Sequence, residues 1–110
     1  MVKYVPDRGD IVWLDFDPQR GKEIKKTRPA LVVSPKKYNE KIGLALFIPI
    51  TSQIKGYPFE EPLNLEEIHG ALLCDQIRSL DWKGRRARYV TLLPADIFNR
   101  TLSKLKLLID

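Results

Sequence analysis

The sequence is poor in the residues that several kinds of chemistry and localisation require. Its 110 residues include one cysteine, one histidine and one methionine. A single cysteine excludes an internal disulfide, and a single histidine excludes a two-histidine acid/base pair within one chain. The longest apolar run, Leu44 to Ile50, is far too short to span a bilayer. The N-terminal residues lack the apolar segment of a signal peptide, so we expect a cytoplasmic protein with no membrane association.

The composition that remains is typical of a globular protein with a preference for anionic partners. Hydrophobic residues make up 44% of the chain and charged residues 30%, and the length suits one domain over residues 1–110. Nineteen basic residues against fourteen acidic ones give a net charge of +5. The basic residues gather in segments 20–28 and 78–88. If these segments fold together they form a phosphate-attracting surface, and the alternative is two separate solvated loops.

Short apolar segments and one amphipathic segment predict an α+β fold that is mainly β. We expect a small, strongly bent antiparallel sheet with a C-terminal helix packed on it. That helix opens at Pro94 and presents Phe98, Leu102, Leu105 and Ile109 on one face. A short helix is predicted to start at Ser34-Pro35 and to run to about residue 41. The predicted strands are 11–16, 30–33, 44–50, 59–65 as an edge strand because of Pro62, 70–78 and 88–92.

An arginine and a threonine stand at the ends of two of these strands. Arg28 precedes Pro29 and the strand 30–33, and Thr51 follows the strand 44–50. A guanidinium can fork onto two phosphate oxygens, and a hydroxyl can donate to a third. Pro29 biases Arg28 towards an extended backbone. The alternatives are an arginine that closes a salt bridge and a β-branched residue that simply suits a strand end.

These two segments, together with Gly9 to Trp13, resemble the MazF/PemK/Kid family of bacterial toxins, which are ribonucleases that cut single-stranded RNA. The resemblance covers nearly the whole chain, and Lys55 to Glu60 is similar to the MazF branch in particular. It implies an SH3-like small barrel, a homodimer, and cleavage of mRNA at a short motif without metal or cofactor. It also implies a cognate MazE-like antitoxin whose disordered acidic tail covers the basic groove.

The same resemblance assigns catalytic roles. In a metal-free mechanism the 2′-hydroxyl attacks the adjacent phosphate, which gives a 2′,3′-cyclic phosphate and a free 5′-hydroxyl. Such a reaction needs a cation, a base, an acid and an in-line geometry. The family implies Arg28 as the cation, Thr51 as a phosphate ligand, and Glu23 and Asp75 as further catalytic candidates. The base stays open between Glu23, Asp75 and a water-mediated route, and a buried carboxylate bonded to backbone amides is the alternative for Asp75.

The chain departs from its relatives at three positions near these motifs. Ile24 stands where the family usually has glutamine, so the sequence preference of this loop is open. Lys22 stands where some members have a histidine, and Leu73 where one branch has a catalytic arginine. Predicted RNA contacts come from the basic loops and the polar strand ends: Lys22, Lys25, Lys26, Ser52, Gln53, Lys55, Tyr57, Gln76, Arg78, Arg85 and Arg86.

The remaining cysteine, carboxylate and aromatic residues are more simply explained by structural roles. Cys74 lies in an apolar run and is expected to be a buried small hydrophobe. Asp15 and Asp17 could share a metal, but no further ligands support such a site. Trp13 is expected in the core. Trp82 and Tyr57 could each stack on an unpaired RNA base, and Tyr57 is the preferred candidate.

Two other functions use the same sequence features. A gyrase-binding toxin of the CcdB type cleaves nothing and relies on a Trp-Gly-Ile chain end, whereas this chain ends in Leu107 to Asp110. An RNA-binding module without catalysis is disfavoured by the presence of both Arg28 and Thr51.

Overall fold

The computed structural model describes residues 3–15 and 26–110. These residues form strands and helices in the order β1 (Asp10–Asp15), β2 (Thr27–Val32), α1 (Lys36–Ile42), β3 (Ala45–Thr51), β4 (Glu60–Asn64), β5 (His69–Leu73), β6 (Arg78–Leu80), β7 (Arg88–Leu92) and α2 (Ala95–Ile109). In this part of the chain, no helix is long and apolar enough to cross a membrane.

The strands form one curled antiparallel sheet in the order β4-β5-β3-β2-β1-β7. Strand β3 causes the curl because two strands share one of its edges. Its first half pairs with β6, where Ala45 lies opposite Leu80, and its last two residues pair with β5. The sheet is therefore an open half-barrel, and the predicted bent antiparallel sheet with a C-terminal helix is confirmed. Strand β4, which contains Pro62, stands at one end of the sheet, as its proline predicted.

Both faces of the central strands are buried, which explains their nearly continuous apolar sequences. Side chains alternate along a strand, so neighbouring residues point to opposite faces. Ile11, Leu31 and Ile48 belong to the core on the side of α2, whereas Val12 and Phe47 belong to a second core on the opposite face. Strands β1, β2 and β3 are thereby held in place by packing on both faces of the sheet.

The two helices differ from the prediction in detail. Helix α1 begins at Lys36, and the Ser34 hydroxyl does not cap it. Instead, Ser34 Oγ donates to Asn39 Oδ1 at 2.5 Å and accepts from the Leu46 amide at 2.9 Å, which fastens the loop to β3. In α2, Leu105 is buried as predicted, but Ile109 is 71% exposed because it lies in the last turn of the helix, where the core does not cover it.

The predicted strand 70–78 is wrong, because a turn divides it into β5 and β6. Strand β5 ends at Leu73, and the Gln76 amide donates to the Leu73 carbonyl at 2.9 Å. The Cys74 amide bonds to the Phe59 carbonyl, so the turn is tied to the segment before β4. As a result, Asp75 and Gln76 lie exposed on a turn rather than within a strand.

Candidate functional site

Arg28 and Thr51 lie on neighbouring strands at the same end of the sheet. Strands β2 and β3 pair antiparallel with Ala30 opposite Pro49, and this register, continued by two residues, puts Arg28 opposite Thr51. Residues that lie opposite each other point to the same face of a sheet. Arg28 is exposed, Thr51 is half-buried, and both line one open cavity of about 610 Å³. The fold thus brings the permanently charged guanidinium of Arg28 and the hydroxyl of Thr51 together from distant parts of the sequence.

The Thr51 hydroxyl is held in a definite orientation. The Gln53 amide donates to Thr51 Oγ1 at 3.1 Å. Because this bond uses a lone pair of the oxygen, the hydroxyl proton is left to donate elsewhere. The hydroxyl can therefore act as a hydrogen-bond donor to an anionic group in the cavity.

Gly70 lets β5 approach the end of β3 closely. Gly70 has φ +148°, and a Cβ at this position would lie 2.0 Å from the Thr51 carbonyl oxygen. Its neighbour Ala71 pairs with Thr51 in the sheet. Only a residue without a side chain fits between these backbones, so Gly70 determines where the Thr51 end of β3 sits.

The cavity is lined mainly by polar residues. Of the residues predicted from sequence, Lys26, Arg28, Thr51, Ser52 and Gln53 line it. Residues that the sequence did not single out for this site also line it, namely Trp13, Thr27, Glu67 and His69. The alternation of β1 predicted Trp13 to be core, and it is half-buried, packing on the core while lining the cavity. In the sequence His69 stands out only as the single histidine, placed in a turn beside Gly70, whereas it begins strand β5, and the pairing of β5 with β3 brings it to the same cavity as Thr51.

A second, mainly apolar cavity of about 140 Å³ adjoins the first. Arg28, Pro29, Ile50 and Thr51 line both cavities, so these residues form the wall between them. The remaining lining of the second cavity comes from β1, β2, β3, β5, the β5–β6 turn and β6: Leu14, Ala30, Phe47, Pro49, Leu73, Gln76, Arg78 and Leu80. The structure therefore groups Gln76 and Arg78, two predicted RNA contacts, with Arg28 and Thr51.

Asp75 and Tyr57 are joined by a hydrogen bond. The Tyr57 hydroxyl donates to Asp75 Oδ1 at 2.6 Å, and this bond raises the pKa of Tyr57 to about 12. The alternative of a buried Asp75 carboxylate bonded to backbone amides is wrong, because Asp75 is exposed. Glu60 has that role instead, since its buried carboxylate accepts from the amides of Lys55 and Gly56. These bonds hold the segment 55–60, including Lys55, beside the β5–β6 turn.

Arg85 and Arg86 attach the loop before β7 to the end of β1. Arg86 Nε lies 2.8 Å from Asp15 Oδ2, and Arg88 Nη2 lies 3.2 Å from Asp15 Oδ1. Arg85 Nη1 donates to the Asp15 carbonyl at 3.4 Å. The Arg86 hydrogen bond is the largest cause that lowers the pKa of Asp15. Both oxygens of the Asp15 carboxylate thus pair with arginines, an arrangement that does not fit the alternative interpretation of Asp15 as a metal ligand.

Several other predicted residues have clear positions. Trp82 is buried and its Nε1 donates to the Asn39 carbonyl at 3.0 Å, so its ring is part of the core and does not offer a stacking surface. Cys74 is fully buried, and burial raises the pKa of its thiol to about 11. Among residues 3–15 and 26–110, no three His, Cys, Asp or Glu side chains form a metal-binding group. The predicted site residues Lys22, Glu23 and Lys25, together with Asp17, lie outside the described residues.

Comparisons with known proteins found similar sequences and similar structures over most of the chain. The sequence profile of a family described as "PemK-like, MazF-like toxin of type II toxin-antitoxin system" matches residues 7–109. The endoribonuclease toxin MazF of Escherichia coli is 51% identical over 85 residues, which are 77% of each chain. A crystal structure of MazF from Deinococcus radiodurans has 47% identity and a TM-score of 0.86, covering 97% of this chain and 98% of that one. In a MazE-MazF structure from the same organism, the similar chain has 44% identity and a TM-score of 0.87, with 97% of each chain covered.

Proposed function

The chain belongs to the family of PemK-like and MazF-like toxins of type II toxin-antitoxin systems, and from this premise we propose that it is an endoribonuclease. Its substrate is single-stranded RNA, chiefly mRNA, which it cuts at a short sequence motif and so stops translation and growth. The observation that carries this proposal is the meeting of Arg28 and Thr51 in one open cavity at the ends of β2 and β3. The similarity to proteins named endoribonuclease toxins supports it.

The proposed reaction uses the RNA's own 2′-hydroxyl as nucleophile. The 2′-oxygen forms a bond to phosphorus while the bond to the 5′-oxygen breaks, which leaves a 2′,3′-cyclic phosphate and a 5′-hydroxyl. Arg28 binds two non-bridging oxygens as negative charge builds up on them, and the Thr51 hydroxyl donates to one of these oxygens. A single preorganised donor of this kind contributes about 10²–10³-fold to the rate.

The proton of the 2′-hydroxyl passes to a base, and the leaving 5′-oxygen receives a proton from an acid. Glu23 and Asp75 are the two candidates for the base, beside a water-mediated route. The Tyr57 hydroxyl donates to Asp75 Oδ1 and holds this carboxylate in one position. No metal ion enters this scheme.

RNA is held by the polar and basic side chains around the two cavities. Lys26, Ser52 and Gln53 line the large cavity, and Gln76 and Arg78 line the small one. Phosphate contacts of lysine and arginine make binding weaker as salt increases. Further contacts in the proposal come from Lys22, Lys25, Lys55, Tyr57, Arg85 and Arg86.

We also propose how the protein is assembled and regulated. Residues 1–110 act as one toxin domain, and two copies form a cytoplasmic homodimer. A MazE-like antitoxin covers the RNA groove with an acidic disordered tail, which a chain of net charge +5 attracts. The MazE-MazF structures of the Deinococcus relative support such a partner.

Cleavage of a long unstructured RNA in EDTA tests the proposal. Wild type, Arg28→Lys and Arg28→Ala are compared, and the 5′ ends of the products are mapped. We expect discrete cuts with 5′-hydroxyl ends from wild type. Arg28→Lys should cut weakly, because lysine keeps the charge but cannot bind two oxygens at once. The cleavage rate of Arg28→Ala should be at least 100-fold lower, since one such donor contributes about 10²–10³-fold. Unchanged activity of a folded Arg28→Ala would remove Arg28 from the mechanism.

Two further controls test the nucleophile and the metal. A deoxyribose immediately 5′ of the cut should block cleavage, and continued cutting would mean that water attacks. Activity that EDTA abolishes and Mg²⁺ restores would refute the metal-free scheme. A folded protein that binds RNA without cutting it would be an RNA-binding module.

A further inference from the structure

His69 lies in the wall of the large cavity, together with Arg28 and Thr51. It is the first residue of β5, and Ala71, two positions further along, pairs with Thr51. His69 is therefore a diagonal neighbour of Thr51 across the two strands. Gly70, between His69 and Ala71, lies directly against the Thr51 carbonyl, so the strands are close together at this point. The fold thus adds an imidazole to the cavity that holds the guanidinium and the hydroxyl.

One ring nitrogen of His69 is held by the neighbouring strand. Asn64 lies opposite His69 in the pairing of β4 with β5, and Asn64 Oδ1 is hydrogen-bonded to His69 Nδ1. An amide oxygen only accepts hydrogen bonds, so Nδ1 is the donor and carries a proton. Nε2 is therefore the nitrogen that takes up or releases a proton towards the cavity, and Asn64 determines how the ring is turned.

His69 is suited to the proton transfer for which the proposed reaction has no residue yet, which is protonation of the leaving 5′-oxygen. The other titratable side chains among the described residues of this cavity are Lys26, Arg28 and Glu67. Near neutral pH, lysine and arginine hold their protons tightly, and glutamate has ordinarily lost its proton. Histidine both holds and releases a proton in this range, which makes it the best general acid of these residue types.

We propose that His69 is the general acid of the cleavage reaction and that Asn64 positions its ring. This inference rests on the proposed ribonuclease function. As the 2′-oxygen bonds to phosphorus and the bond to the 5′-oxygen breaks, the proton on Nε2 of the imidazolium passes to the 5′-oxygen. The proton of the 2′-hydroxyl goes to the carboxylate or water that acts as base. The neutral ring regains a proton from water after the products leave.

The pH dependence of cleavage follows from the charged form that an acid needs. The charged side chains that share the cavity with His69 are Lys26 and Arg28 at the start of β2 and Glu67 in the turn before β5; the described parts of β1 and β3 add none. The cleavage rate should fall as the pH rises through the range of about 5–8 in which histidine loses its proton. His69→Gln should remove this fall, and a fall that persists in the variant would contradict the proposal.

NMR of the folded protein tests the role of Asn64 without any need for cleavage. His69 is the single histidine, so its ring signals are identified directly. Nitrogen-15 chemical shifts distinguish Nδ1–H from Nε2–H in the neutral ring. We expect Nδ1–H in wild type and more Nε2–H in Asn64→Leu, which keeps the size of this exposed side chain but removes the acceptor. Nε2–H as the main form in wild type would refute the positioning role.

An RNA with sulfur in place of the leaving 5′-oxygen tests whether His69 is an acid. A thiol is a much stronger acid than an alcohol, so a thiolate leaves without being protonated. We expect His69→Gln to cut the oxygen RNA more slowly by on the order of 10²–10⁴-fold, the usual contribution of general acid catalysis. The same variant should cut the sulfur RNA close to the wild-type rate. Arg28→Ala should be slow on both RNAs, because negative charge builds up on the non-bridging oxygens in either case.

Glu66→Gln is the matched control for His69→Gln. Glu66 is exposed in the same β4–β5 turn and is not part of the cavity lining, so this variant should cut both RNAs like wild type. If wild type cuts RNA but His69→Gln cuts the oxygen RNA equally well, or is slower by the same factor on both RNAs, His69 is not the acid and the ribonuclease proposal stands. If wild type cuts neither RNA, the ribonuclease proposal fails and the assignment of His69 fails with it.

Discussion

Among the described glycines with positive φ, Gly70 is the one at which substitution by alanine should destabilise the protein most. The added Cβ would lie 2.0 Å from the Thr51 carbonyl oxygen and 3.0 Å from its carbonyl carbon. Ordinary contacts of a Cβ begin near 3.4 Å, so the two backbones must separate by more than an ångström. Overpacking of this kind costs about 1–3 kcal/mol. The φ of +148° adds strain of about 1–3 kcal/mol for a residue with a side chain.

Gly43→Ala is the matched control for this substitution. Gly43 ends α1 with φ +84° and ψ 0°, and a Cβ there meets nothing within 4 Å. This variant has the cost of the left-handed backbone alone, about 1–2 kcal/mol. The expected difference between the two variants is therefore at least the overpacking cost of about 1–3 kcal/mol.

Urea unfolding followed by circular dichroism measures this difference. With a denaturant slope of about 1–3 kcal/mol per molar, the Gly70→Ala midpoint should fall below that of Gly43→Ala by roughly 1 M. Because the clash pushes on the Thr51 end of β3, RNA cleavage by folded Gly70→Ala should also fall, whereas Gly43→Ala should cut like wild type. Equal midpoints for the two variants would refute the close approach of β5 and β3.

Three further predictions concern single side chains. Asp15→Asn should be less stable at pH 7 by about 1–2 kcal/mol, since Asp15 loses its charge opposite partly exposed arginines such as Arg86. The folded protein lowers the pKa of Asp15, so this difference in stability is present above the unfolded value of about 3.9 and should shrink as the pH falls below that value. A difference in urea unfolding that stays constant down to pH 2 would contradict this prediction. Asp75→Asn should lower the pKa of Tyr57 from about 12 towards 10, which NMR titration of the tyrosine ring measures, and an unchanged value would exclude the hydrogen bond. Cys74 should resist iodoacetamide at pH 8 in the folded protein and react in urea, whereas rapid labelling of the native state would show that the thiol is not buried.

Local sequence signals were sufficient for the elements that depend on local chemistry. Strand β7 occupies the predicted range 88–92 because Tyr89, Val90 and Thr91 all favour strands and no turn residue interrupts them. Pro94 and Asp96 define the start of α2, since proline and an acidic residue both suit a first helical turn. The candidates Arg28 and Thr51 could also be found from sequence, because each directly adjoins an apolar strand.

Local signals failed where a distant contact decides the structure. The apolar run 70–74 favoured one long strand, but a hydrogen bond from the Cys74 amide to Phe59 and a turn closed by Gln76 divide it. Trp82 offered an aromatic face in the sequence, and a hydrogen bond to Asn39, 43 residues away, places it in the core.

The sequence by itself determined the types of chemistry this protein has, namely a net positive charge, one guanidinium and one hydroxyl beside apolar strands, and a thiol within an apolar run. The tertiary structure decided which of these groups meet. The register of β2 and β3 brings Arg28 to Thr51, and the glycine contact at Gly70 fixes the strand that carries Thr51. Both cavities beside this pair are lined by residues of several strands, so they depend on strand pairing between distant segments rather than on any local segment.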